Sequence, residues 1–114
     1  MNDTAEIVEA VTGWFAANGV AGLRLPRGWF GRPYDNAHRL TWSAARSGKV
    51  ILELDDQLLL VLTSPGRPQH DAGNLTLPFA QLTFDWEGYG DRTPHAEHHE
   101  AGALSFMKLP SDRH

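Results

Sequence analysis

The chain is predicted to fold as an α+β domain: one N-terminal amphipathic helix packed on a curled, mainly antiparallel sheet of five to six strands. Three observations predict it. An apolar stripe with helical period runs through residues 4–18, and beyond it the apolar period changes to two. The alternating runs that follow are short and mostly joined at hairpin distance, which favours antiparallel neighbours over helix-length crossovers. A small open β-barrel carrying the same helix is the alternative arrangement of these elements.

The helix is expected over residues 4–18. Asp3-Thr4-Ala5-Glu6 has the form of a capping box, Val8, Val11 and Phe15 make one stripe, and Ile7 and Trp14 widen it. Asn18-Gly19 supplies a left-handed stop. In the first strand Leu40, Trp42 and Ala44 alternate with Arg39, Thr41, Ser43 and Ala45, up to a turn at Ser47-Gly48. Val50–Leu54 and Leu58–Leu62, joined by Asp55-Asp56-Gln57, form the clearest hairpin. The second of these strands is apolar on both faces, which predicts a central strand covered on each side, with the helix as the natural cover.

Residues 64–74, rich in Pro, Gly and polar side chains, are predicted to be a mobile loop. A strand resumes at Leu75–Leu77, and Pro78 interrupts it at an edge or a bulge. Ala80, Leu82, Phe84 and Trp86 then alternate with Gln81, Thr83 and Asp85. Thr93-Pro94 followed by His95 to Gly102 reads either as a helix of one or two turns, with Thr93 as N-cap, or as a loop. Ala103–Leu109 is the last strand, and 110–114 a frayed tail. No internal repeat is present.

A chain of 114 residues with 41% apolar content supports one modest core, so residues 1–114 form a single domain. No apolar run approaches the roughly 20 residues of a membrane-spanning helix, and the acidic start lacks a secretory n-region. A cytoplasmic location is expected, with no membrane partner. The absence of cysteine excludes disulfides, thiolate catalysis and Cys-ligated zinc, and fits a reducing compartment.

Charge is distributed unevenly. Residues 24–49 carry Arg24, Arg27, Arg32, Arg39, Arg46 and Lys49 against Asp35 alone, whereas ten carboxylates from residue 50 onward face four basic residues. The basic stretch either steers an anionic ligand or pairs with the acidic half of the fold. The net charge of −4 argues against a nucleic-acid partner.

His95-Ala96-Glu97-His98-His99-Glu100 concentrates imidazoles and carboxylates. If helical, it sets His95 and His99 on one face, and with His38 or His70 they would make a site for a divalent metal such as zinc or nickel. The His-Glu-x-x-His motif is missing, so an exposed polar turn is the competing reading. Asp85 and Glu87 share a strand face near rings, yet no second acid with a raised pKa stands opposite, as sugar hydrolysis requires. No nucleophile elbow, phosphate-binding loop or dinucleotide fingerprint occurs. No catalytic residue is identified and no cofactor is expected beyond that metal.

Gly28 to His38, GWFGRPYDNAH, is the densest stretch. Trp29, Phe30 and Tyr34 offer large rigid area and Arg32 a fork of donors, a composition favoured at interfaces. Each letter also has a structural use: Gly28, Gly31 and Pro33 shape turns, Asp35 and Asn36 bond their own backbone ahead of His38, and two rings enter the core. Gly-Arg-Pro-Tyr-Asp-Asn-x-His (31–38), the Leu-Glu-Leu-Asp hairpin and Phe-Asp-Trp-Glu-x-Tyr-Gly (84–90) resemble small uncharacterised bacterial domains of actinobacterial type. The resemblance spans about residues 24–109 and implies one mixed α/β domain, with no activity or site residue attached.

The function predicted from these readings is a non-catalytic interaction module. It uses loop 28–38 together with Trp86, Tyr89 and Arg92 of the strand end 86–92, and binds a protein partner or a second copy of itself. A metal-binding protein or metal-dependent enzyme using His95, His98 and His99 is the alternative. A small-ligand pocket lined by Trp42, Trp86 and Tyr89 inside the sheet is a third reading.

Overall fold

The computed structural model describes residues 4–30, 37–87 and 94–109. One helix and eight strands follow in the order α1 (Thr4–Asn18), β1 (Ala21–Leu25), β2 (Gly28–Trp29), β3 (Leu40–Arg46), β4 (Lys49–Leu54), β5 (Leu58–Thr63), β6 (Gln69–Asp71), β7 (Asn74–Glu87) and β8 (Pro94–Lys108). All strand pairs are antiparallel, in the spatial order β2-β1-β8-β7-β5-β4-β3, with β6 paired to the start of β7. The expected α+β class is observed.

The helix forms where its apolar stripe predicts, burying Ile7, Val11, Trp14 and Phe15. Gly19 stops it at φ 79°, a conformation that costs glycine little, while its amide donates to Phe15 O. Asp3, the expected N-cap, lies outside the described residues. The helix packs on β3 and β4. Its last turn reaches β8, where Phe15 meets Phe106 edge-on at 4.9 Å. The Trp14 indole donates to Gly73 O at 2.9 Å, tying the helix to the β6–β7 turn.

Inward side chains of the sheet alternate with outward ones. Val50, Leu52 and Leu54 of β4, Leu58, Leu60 and Leu62 of β5, Leu82 and Phe84 of β7, and Leu104 and Phe106 of β8 are buried on the concave side. The sheet does not close into a barrel. Its flanks meet at one bridge, where Ala21 and His38 exchange two backbone hydrogen bonds of 2.9 and 2.8 Å. Among the described residues no helix is long and apolar enough to cross a membrane.

Four expectations need correction. Residues 94–102 are neither helix nor loop: they continue β8, because β7 offers a hydrogen-bonding edge along its length that outweighs local propensity. The loop 64–74 contains β6, which returns on β7 through Ala72 and Gly73, both at positive φ. β7 is not interrupted at Pro78; the edge expected there is local, because that residue sits where the strand's outer partner changes from β6 to β5 and no ladder donor is needed. In β3, the register shifts between Leu40 and Trp42. Thr41 sits at that bulge, its hydroxyl donating to Glu53 O and accepting from the Asp56 amide, both at 3.1 Å.

That bulge decides the faces of β3. Leu40 packs toward the core, Trp42 pairs with the outward Glu53, and the inward positions fall to Ser43 and Ala45 opposite Leu52 and Val50. Small inward residues let the helix approach closely. The consequence for Trp42 is exposure: at 46% it is the one exposed large hydrophobic among the described residues.

Candidate interaction surface

The two aromatic stretches singled out in the sequence do meet, but as packing. Phe30 is buried and contacts Phe84 and Trp86 edge-on at 4.9 and 5.5 Å. Trp86 is half-buried, stacked between Phe84 at 4.8 Å and His95 at 5.0 Å. The imidazole of His38 lies 5.7 Å from Phe30 and is 2% exposed. These rings seal one end of the core. Trp29 lies in β2, and Arg32, Tyr34, Asp35, Asn36, Tyr89 and Arg92 fall outside the described residues.

The strand geometry of β8 separates the imidazoles. His95 and His99 share the inward side with Glu97, whereas His98 points outward with Glu100 at 3.6 Å. Four strand residues set the His95 and His99 backbones about 13 Å apart. His38 is held by Asp55, and His70 is exposed on β6. No group of three metal-ligating side chains converges among the described residues.

Glu97 and His99 have a different partner. Arg27, at the β1–β2 turn, donates from Nε and Nη2 to the two Glu97 carboxylate oxygens at 2.7 and 2.8 Å, and His99 Nε2 lies 3.0 Å from Oε1. Burial alone would push the Glu97 carboxyl up; the Arg27 fork and then His99 more than reverse this and hold it below the ordinary range. Arg27 is correspondingly raised by its bond to Glu97. The cluster joins the β1–β2 turn to the part of β8 that lies beyond its pairing with β1.

The outer face of the sheet carries the uncovered chemistry. Register places Trp42, Glu53, Leu59 and Asp85 in one row across β3, β4, β5 and β7. The next row is Ala44, Ile51, Val61 and Thr83. An antiparallel sheet with one solvated face normally alternates apolar in and polar out. β5 does not: Leu59 and Val61 lie half-exposed on the outside, with no described element over them. The expectation that β5 is central holds, and the expectation that both its faces are covered does not.

At the end of this face that holds the β4–β5 turn, a cleft of about 560 Å³ opens between Glu53, Asp56, Leu59 and Asp85 and reaches around the end of the sheet to the inward Trp86 and His95. Three carboxylates beside an apolar floor suit a basic group with an aliphatic stem. Trp42 and Trp86 lie on opposite faces of the sheet, so they do not line one internal pocket. Sequence reasoning placed Trp42 at a pocket inside the sheet and assigned no role to Glu53, Asp56 or Leu59; the legible signal was the unbroken apolar run of β5. Comparison with protein-family models, curated proteins and solved structures gives no match, so the surface is read from its own geometry.

Proposed function

We propose that this chain is a non-catalytic interaction module whose binding surface is the outer face of β3, β4 and β5. The observation that carries it is Trp42, 46% exposed on a face that no described element covers and that also carries Ile51, Leu59 and Val61. An exposed tryptophan among partly exposed apolar side chains is a composition favoured at interaction sites, where tryptophan is among the residues most enriched at the positions that carry binding energy. The acidic cleft at one end of the strip adds direction, since it favours a partner with a basic side chain next to its apolar contact.

Among the described side chains of 28–38, the Phe30 ring and the His38 imidazole are consumed in packing. The exposed indole among the described residues is on the outer face, and recognition is assigned there. Hydroxyl-radical footprinting tests this on the full chain in dilute solution, in concentrated solution and in extract of the source cell. Trp42 should be modified readily when dilute and protected in at least one of the other two. Equal modification in all three would remove the reading.

A further inference from the structure

Resting on that reading, we infer that the partner is a second copy of this chain, joined outer face to outer face about a two-fold axis that runs across the strands. The face is self-complementary in charge. Its acidic end holds Glu53, Asp56 and Asp85, and its other end holds Arg46 and Lys49, which flank the Ser47-Gly48 turn. Arg46 and Lys49 are direct cross-strand partners, a like-charge pairing that is unfavourable in isolation. Neither has an ion-pair partner among the described residues.

The register makes the match specific. On β3, Trp42 and Arg46 stand two residues either side of Ala44; on β4, Glu53 and Lys49 stand two either side of Ile51. Ala44, Ile51 and Val61 form one row. An axis along that row leaves each strand over its own copy and reverses its direction. Ile51 then meets Ile51, and Lys49 of each copy faces the partner's Glu53 at the mouth of the cleft. Arg46 comes over the partner's Trp42, a cation on an indole face. An axis along the strands would instead oppose acid to acid and base to base, so charge selects between the two.

The outward positions that match lie on β3, β4 and β5, so contact is confined to these three strands. Three strands at about 4.8 Å spacing over about 20 Å of length give a footprint near 300 Å² before side chains are counted. That is small against the roughly 800 Å² per partner of standard interfaces, so the dimer is transient and concentration-dependent.

Sedimentation equilibrium of the full chain, up to millimolar concentration, is the test. The wild type should dimerise. Lys49→Glu and Glu53→Lys should each weaken the dimer about tenfold, and the two reversals together should restore it to within about threefold. Trp42→Ser should abolish it. A strict monomer overturns the proposal, as does a dimer indifferent to all of these changes. If the chain is monomeric while Trp42 is still protected in extract, the second copy is refuted and the interaction surface stands; if Trp42 is never protected, both fall.

Discussion

His38 Nδ1 lies 2.7 Å from Asp55 Oδ2, joining the segment that precedes β3 to the turn that follows β4. The other Asp55 oxygen accepts from the Arg39 amide at 2.9 Å, and the Asp55 amide donates to Arg39 O at 3.0 Å. His38 also supplies the backbone bridge to Ala21. The side-chain pair therefore ties the turn after β4 to the residue whose backbone bridges the two flanks of the sheet. Asp55→Ala should lower stability by about 2–3 kcal/mol, since the bond is charge-assisted and its imidazole is nearly inaccessible to water. Asp55→Asn should cost less, because it keeps an acceptor for Arg39 and tolerates the positive φ of 57°. Urea unfolding measures both; equal losses, or none, would show that the pair does not hold the turn.

The helix, the β4–β5 hairpin and the inward residues of β7 were legible because local period and burial agree there. Three features were not, each for a physical reason. β1, with Gly22 and Arg24 interspersed in only five residues, is too short to show a period. The polar half of β8 carries Glu97 and His99 on its inward side, where an apolar pattern would be read, because Arg27 reaches across from a distant turn to satisfy them. The outward aim of Trp42 depends on the bulge at Thr41, held by Glu53 across the strand pair and by Asp56 from the turn that follows β4. Of the candidate site, the apolar excess of β5 was visible, but the face left bare was decided by tertiary packing.

The Arg27–Glu97 pair predicts a particular acid response. Glu97 has its carboxyl lowered in the folded state, so its contribution is present above the ordinary glutamate range near pH 4.3 and is lost as pH falls through the folded value. Glu97→Gln should therefore flatten the decline of the unfolding midpoint below about pH 4. At neutral pH it should cost no more than about 1 kcal/mol, because the Arg27 side chain is 43% exposed and solvent screens the pair. An unchanged acid profile in the variant would show that Glu97 is not among the groups setting it.

The dispersal of the imidazoles predicts indifference to metal. With His98 outward and His95 far along the strand from His99, zinc added in modest excess should leave the thermal midpoint unmoved, and prior chelation should do the same. A saturable upward shift on adding zinc, lost in His99→Ala, would show a site that the strand geometry does not supply.

Trp14 links the helix to the β6–β7 turn through a single 2.9 Å hydrogen bond to Gly73 O. Trp14→Phe keeps an aromatic ring near Phe15 and Phe106 but removes that donor. A loss of about 1–2 kcal/mol is expected, from the bond together with the smaller ring. Amide exchange should quicken first in Gln69–Asp71, whose only strand partner among the described residues is the start of β7. Exchange that accelerates uniformly through the sheet would mean the bond does not act locally.

Two tryptophans on opposite faces separate folding from recognition. Trp86 stacks on Phe84 and His95 and meets Phe30 edge-on, so Trp86→Ala should cost about 2–4 kcal/mol through lost packing and the cavity it leaves. Trp42 is 46% exposed on the outer face and makes no ring contact among the described residues, so Trp42→Thr should change stability by no more than about 0.5 kcal/mol. Threonine suits a strand, which removes propensity as a competing cause. If Trp42→Thr destabilised the isolated chain as much as Trp86→Ala, its ring would belong to the fold and could not be reserved for a partner. Near-neutral stability in dilute solution, combined with loss of protection on the outer face under the condition that protects the wild type, is the outcome that a binding role requires.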